Sequence, residues 1–256
     1  MRYSYLQGQT WHFGERVQEN TWESGIRRTK EHFSSVKLIS ELFETIDQIV
    51  FINLSTRKDR LRSINDFLSK CDIPVDKITR FEAIGKEQQR PLTRSVLNSD
   101  VDRTIPEGAL GCTWSHIGVL KKAKENGWKK ILVLEDDVES VTTPKQFIRD
   151  LVTGLRETKE FDVLMLAWNN IGLGPEVTGV TSRGRNLQTT SAYIVGEHFY
   201  ETLMIDFIES AANQVALDIN WFGLQERSKF YAFTPRILNQ AASYSDIENR
   251  YVDYGV

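Results

Sequence analysis

The segment Lys129–Ser140, KKILVLEDDVES, narrows the choice of folds more than any other in the chain. Four apolar residues, Ile131 to Leu134, run without a polar break straight into Glu135, Asp136 and Asp137. An uninterrupted apolar strand is one covered on both faces, and such strands are typically central and parallel. In parallel α/β sheets ligands bind just beyond the carboxyl ends of the strands, which is where these carboxylates stand. Adjacent carboxylates repel and raise one another's pKa unless a cation neutralises them. A hard divalent ion such as Mg²⁺ or Mn²⁺ is the natural partner for oxygen ligands, and would in turn hold a diphosphate. The same three residues also suit a solvated loop or a helix N-cap. If they do bind a metal and a diphosphate, phosphoryl, nucleotidyl and glycosyl transfer all remain open.

The flanking pattern agrees with an α/β sheet. QIVFINLS (48–55), KITRFEAI (77–84), KKILVLEDD (129–137), FDVLMLAW (161–168) and TSAYIVG (190–196) read as strands, and KFYAFTP (229–235) ends the regular part. Between them, KDRLRSINDFLSKC places Leu61, Ile64, Phe67, Leu68 and Cys71 at helical spacing. PEGALGCTWSHIGVLKKAKENG is a helix with Pro106 and Glu107 at its start and Gly127 at its stop. Further helices are predicted over 144–158 and 197–213, and NNIGLGPEVTG (169–179) reads as a glycine-bearing loop. Strands alternating with helices predict a mainly parallel sheet flanked by helices. Residues 1–47 are polar and without a clear strand, so the expected organisation is an N-terminal extension over 1–47 and one α/β domain over 48–256.

Several function classes fit poorly. The net charge is -3, which is unlike the basic stripe of a nucleic-acid binder. No apolar run reaches the ~18 residues of a membrane span, although peripheral association is left open. No G-x-x-x-x-G-K-[ST] is present, which disfavours the P-loop class. Gly172, Gly174 and Gly179 do not make a dinucleotide fingerprint. Two cysteines, Cys71 and Cys112, argue against a disulfide scaffold or a cysteine-rich zinc site and are expected as buried thiols. A cytosolic protein is the simplest expectation.

Taken in order, several segments resemble glycosyltransferase family 25, the lipooligosaccharide β-galactosyltransferases of bacteria and the related collagen galactosyltransferases. They are IVFINLSTRKDRL (49–61), RFEAIG (80–85), GALGCTWSHIGVLKKAKENGWKKILVLEDDV (108–138), TTSAYIVGEHFYETLM (189–204), ALDINWF (216–222) and TPRILNQAASYSDI (234–247). The resemblance covers about 50 to 247. It implies a GT-A fold, a Rossmann-like sheet binding a nucleotide sugar. It also implies inverting transfer of galactose from UDP-galactose to a hydroxyl of a glycan or glycoconjugate, with Mn²⁺ or Mg²⁺ as cofactor. The acidic segment is similar to the D-x-D motif of metal-dependent transferases. By that likeness Asp137 is the main metal ligand, and Glu135 and Asp136 assist through the metal or the ribose. Some GT-A enzymes have a C-terminal metal-ligating histidine, but no histidine follows His198 here, and Asp246 is the residue that could replace it.

The remaining candidates follow from position. Arg57 and Arg60, after the first strand, could meet the phosphates as charge-assisted donors or form a solvated helical turn. Asn53, Leu54 and Ser55 line the same strand end and could hold the base. Ser115 and His116 are sequence neighbours on a helix and point in different directions. His116 is expected either as a structural hydrogen-bonder or as a donor contact. Gly108 and Gly111 permit close backbone approach. Trp168 and Asn169, with Asn170, follow another strand and could meet the sugar, though the family has a small residue near this point. Asp218, in ALDINWF, is the acceptor-side carboxylate that the resemblance suggests as catalytic base. Gln240 lies in a C-terminal segment able to close over the donor.

Overall fold

The structure, a computed structural model, describes residues 35–102, 104–169, 172–247 and 250–252. Residues 1–34, most of the expected N-terminal extension, lie outside the described residues, as does Asn170.

The described chain opens with helix α1 (35–45) and strand β1 (Gln48–Asn53). Then come α2 (Lys58–Lys70), β2 (Ile78–Glu82), α3 (Lys86–Val96), α4 (Glu107–Glu125), β3 (Lys130–Glu135), β4 (Val138–Ser140), α5 (Pro144–Glu157) and β5 (Val163–Met165). The second half holds β6 (Leu173–Thr178), β7 (Thr181–Gly184), β8 (Ala192–Gly196), α6 (Glu197–Ala212), α7 (Leu217–Asn220), α8 (Phe222–Arg227), β9 (Phe230–Phe233), β10 (Leu238–Gln240), β11 (Ser243–Ser245) and β12 (Arg250–Val252). The main sheet has eight strands in the order β2-β1-β3-β8-β5-β9-β7-β6. The pairings leave β8 and β7 opposed to the other six, so the sheet is mainly parallel.

Strand alternation sends successive side chains to opposite faces, and the two faces carry separate cores. Ile49, Phe51, Leu132, Leu134 and Leu164 face α1, α2 and α5, where Leu42, Ile64, Leu68, Phe147 and Leu151 meet them. Val50, Ile131, Val133, Val163 and Tyr193 face α4 and α6, against Leu110, Val119, Leu120, Leu203 and Phe207. This is the Rossmann-like layering that the resemblance implies. The run Ile131–Leu134 is at most 1% exposed, as expected of a strand covered on both faces. Helix α5 starts where Thr143 Oγ1 accepts from the Gln146 amide and Pro144 takes the first helical position. Ile39, Leu42 and Ile46 join the first core, so residues 35–47 pack into the domain.

Two local expectations are corrected, and one helix, α3 after Gly85, was not predicted. The glycine-bearing loop contains the edge strand β6, paired with β7. The regular part does not end at β9, because β10 pairs antiparallel with β4 and β11 with β12. The β4–β10 pairing positions the site, since it lays the C-terminal segment beside the acidic end of β3, with Gln240 opposite Val138.

Candidate active site

Strand β3 delivers Glu135 at its last position, and the turn that follows holds Asp136 and Asp137, 8% and 9% exposed. Each carboxylate is held differently. Glu135 Oε1 accepts from Thr190 Oγ1 at 2.8 Å and lies 3.4 Å from His116 Nε2. Asp136 Oδ2 accepts from Asn53 Nδ2 at 2.6 Å, and its Oδ1 is 3.0 Å from Arg60 Nη1. The same Nη1 stands 3.0 Å from Asp137 Oδ2, which also receives Gln240 Nε2 at 3.3 Å. Asp137 Oδ1 is buried and has no hydrogen-bond partner.

These environments separate the titrations. Burial raises the Glu135 pKa, but His116, Thr190 and Arg60 outweigh it and hold it below the ordinary carboxylate value. Burial, with the charges of Glu135 and Asp136, pushes Asp137 up to about 7 against the opposing pull of Arg60. Burial also leaves Asp136 raised, despite Asn53 and Arg60. Divergent titration of neighbouring carboxylates is a feature of functional sites. An unpartnered buried oxygen costs about 1–3 kcal/mol, which a bound hard cation would offset. Carboxylate oxygens are the donor class that Mg²⁺ or Mn²⁺ takes, and the unpartnered Asp137 Oδ1 is the atom here that lacks a compensating group.

Two pockets adjoin here. The first is walled by Leu54, Arg57, Arg60, the three carboxylates, Ser115, Gln240 and Asp246. The second is walled by Asn169, Gln188, Thr189, Thr190, Leu217 and Asp218. Cys112, Glu135, Gln240 and Ile247 line both. Arg57 spans the first pocket's rim: its Nη1 donates to Asp246 Oδ2 at 2.5 Å and to the Tyr244 carbonyl at 3.2 Å. Arg60 Nη2 donates to that same carbonyl at 2.9 Å, and the Ala241 amide donates to the Asp137 carbonyl at 2.7 Å. The C-terminal segment thus crosses the acidic strand end. It can pass because Gly108 has no side chain: a Cβ there would stand 2.9 Å from Ile247 Cα. In the second pocket Asp218 Oδ2 accepts from the Thr189 amide at 3.1 Å. Burial first, and the charge of Glu135, raise the Asp218 pKa. Thr189 is a β-branched residue at φ +72°, an unusual and strained conformation at the pocket wall.

The sequence model described as Glycosyltransferase family 25 (LPS biosynthesis protein) matches residues 46–177, just over half of the chain. The chain belongs to glycosyltransferase family 25. A curated relative, procollagen galactosyltransferase 1 of Danio rerio, is 24% identical over 163 residues. That match covers 61% of this chain and only 26% of the relative, so the chain spans about a quarter of its length. Among solved structures, a glycosyltransferase involved in glycosylation of the major capsid of PBCV-1 is 10% identical with a TM-score of 0.46. It is matched over 79% of this chain and 95% of that one. A UDP-glucose pyrophosphorylase complexed with UDP-glucose gives 9% identity and a TM-score of 0.44, over 73% and 89%. Likenesses at this level speak to neither substrate nor reaction.

As a member of family 25, the chain brings most of the expected residues together. Leu54, Arg57, Arg60, Ser115, Glu135, Asp136, Asp137, Gln240 and Asp246 surround the first pocket, and Asn169 and Asp218 the second. Asn53 and His116 stand behind the wall, Asn53 holding Asp136 and His116 beside Glu135. Ser55 is exposed in the turn after β1 and lines neither of these pockets. Nor does Trp168, whose indole Nε1 donates to the Phe233 carbonyl at 2.8 Å with Arg236 over its ring. Ser115 Oγ accepts from the Ile84 amide and donates to the Gly111 carbonyl, tying α4 to the end of β2.

Cys112 is a correction: it is half-buried and open to both pockets, whereas Cys71 is buried as expected. Gly108, Cys112 and Ser115 recur at helical spacing, and this small, polar stripe of α4 was the available signal. Thr189 and Thr190 were missed because only the packing of β3 against β8 brings their loop to Glu135.

Proposed function

We propose that this family 25 glycosyltransferase is metal-dependent and inverting, moving galactose from UDP-galactose to a hydroxyl of a glycan or glycoconjugate, as in lipopolysaccharide biosynthesis. The reading keeps the expectation of a cytosolic protein; no described helix is long and apolar enough to cross a membrane.

One observation carries it. The first pocket, with clustered carboxylates and two arginines, opens directly beside a second pocket whose own carboxylate is Asp218. Arg57 and Arg60 would meet the diphosphate, and Leu54 and its neighbours the nucleoside. Glu135, Asp136 and Asp137 would hold Mg²⁺ or Mn²⁺, which when bound offsets charge on the leaving diphosphate. Asp218 would accept the proton of the incoming hydroxyl. Its raised pKa makes it a stronger base than an exposed aspartate. Asn169 and Gln188 would orient the acceptor, and Gln240, bonded to Asp137 and shared by both pockets, would couple the two halves.

The test is incubation with a panel of UDP-sugars, Mn²⁺ and candidate acceptors, scoring UDP against pyrophosphate. Acceptor-dependent UDP release is the expected result. Pyrophosphate release would point to nucleotidyl transfer, and nucleotide binding without turnover over a wide acceptor panel to a non-catalytic binding module.

A further inference from the structure

At the junction of the two pockets three different donor atoms converge. Cys112 Sγ, a ring nitrogen of His116 and a carboxylate oxygen of Glu135 lie within 4.8 Å of one another. Cys112 and His116 are four residues apart on α4 and share a face, while Glu135 comes from the end of β3. His116 is fully buried, and its Nε2 has no hydrogen-bond partner although Glu135 Oε1 lies only 3.4 Å away. Its other nitrogen, Nδ1, is 3.0 Å from the Tyr193 hydroxyl. A metal-ligating histidine ordinarily uses its second nitrogen in this way, to fix the ring and its tautomer.

We propose that Cys112, His116 and Glu135 form a second cation site, which takes a borderline-soft transition-metal ion such as Zn²⁺ and leaves a fourth position open to the pockets. Thiolate and imidazole select Zn²⁺ over Mg²⁺ or Mn²⁺, which prefer all-oxygen sets. Three protein ligands with one open position is the pattern of exposed zinc centres. Zinc bonds of ~2.0–2.3 Å separate tetrahedral ligand atoms by roughly 3.3–3.8 Å, so side-chain shifts of about 1 Å would close the triangle. As the Sγ–metal bond forms, the thiol proton leaves to solvent. The ion has an entry path, since Cys112 and Glu135 line both pockets. One consequence rests on the proposed donor-site reading, whereas the binding does not: Zn²⁺ would draw Glu135 away from the diphosphate cation and inhibit transfer.

The experiment titrates the purified full chain with Co²⁺, then displaces it with Zn²⁺, following the thiolate-to-cobalt charge-transfer absorption. One equivalent of Co²⁺ should develop that band. Cys112→Ser should abolish it and weaken Zn²⁺ binding by more than the ~10–100-fold typical of losing an outer-shell partner. Tyr193→Phe should weaken it by about tenfold, as an outer-shell change. Cys71→Ser and Asp137→Asn should keep the band, separating this site from the other thiol and from the donor cation. A wild-type chain without a charge-transfer band, or a band that survives Cys112→Ser, overturns the proposal. So does a folded His116→Gln variant with undiminished Zn²⁺ affinity; if that variant does not fold, Cys112→Ser decides alone. If the site binds Zn²⁺ but leaves UDP release untouched, the consequence for donor binding is wrong and the site itself stands.

Discussion

The two adjoining pockets share a wall but are built on different electrostatics. Arginines and carboxylates alternate around the first: Arg57 meets Asp246, and Arg60 meets Asp136 and Asp137. The second has no arginine or lysine among its described walls, and its polar groups besides Glu135 and Asp218 are neutral amides, hydroxyls and a thiol. Aspartate accordingly has two characters within one site. Asp137 is compensated by a guanidinium and surrounded by like charges, whereas Asp218 accepts from the Thr189 amide. A pocket with matched charges of both signs suits a diphosphate and its cation. A pocket without a cationic side chain among its described walls, and with one carboxylate whose pKa is raised, suits a sugar hydroxyl that must lose a proton. Four experiments put that contrast at risk.

The largest effect is expected from Asp137→Asn, which keeps the shape and removes the charge. A bound metal supplies several kcal/mol, so turnover should fall by ~10³-fold with metal-dependent UDP binding lost. Full activity at limiting Mn²⁺ would detach the acidic cluster from the cation. Next, Asp218→Asn should lower turnover by ~10²-fold or more, as for a lost general base, while calorimetric UDP affinity stays near wild type. UDP binding that collapses along with turnover would erase the division between the pockets.

Arg57→Ala should weaken UDP and UDP-galactose alike by about tenfold, the worth of a charge-assisted hydrogen bond. Arg57 also pairs with Asp59, Nη2 to Oδ2 at 2.9 Å, and equal affinities for mutant and wild type would leave it as no more than the partner of Asp59 and Asp246. The smallest effect concerns stability. Asp137 titrates near 7 in the folded chain against an ordinary 3.8. The folded state therefore binds this proton more tightly, and the group's contribution to stability falls as pH rises from about 4 to about 7. Without metal, Asp137→Asn should melt above wild type at pH 8, and the gap should close toward pH 4. A gap that widens in acid would reverse the assigned sign.

Strong local signals made much of this visible in the sequence. The β3 run could be read because four apolar residues leave a strand no exposed face, and its carboxylates could be read as a site because a buried strand rarely ends in like charge. α2, α4, α5 and α6 followed from apolar spacing and from their start and stop residues. By contrast α3 has Pro91 inside it and little apolar surface, with Gln89 and Thr93 as its buried positions, so periodicity had nothing to register. β6 lies at the sheet edge with its central residues exposed, and Gly172 and Gly174 made it look like loop. β10, β11 and β12 have three residues each, too few for a period-two pattern. Within the site, residue types were legible but their depth was not. His116 lies behind Glu135 rather than in the pocket because of how α4 sits against the sheet. Trp168 turned away because the Phe233 carbonyl and Arg236 satisfy it.

The strap over the acidic strand end has a consequence in time. Arg57 and Asp246 meet across 189 positions of chain, and Arg60 reaches the Tyr244 carbonyl across 184. Contacts so distant in sequence close late, because the loop entropy between them must be overcome first. In folding, the parallel strands and their helices can pair before the segment that completes the first pocket docks across them. A partly folded chain would therefore carry a formed scaffold with an open, unfinished binding wall.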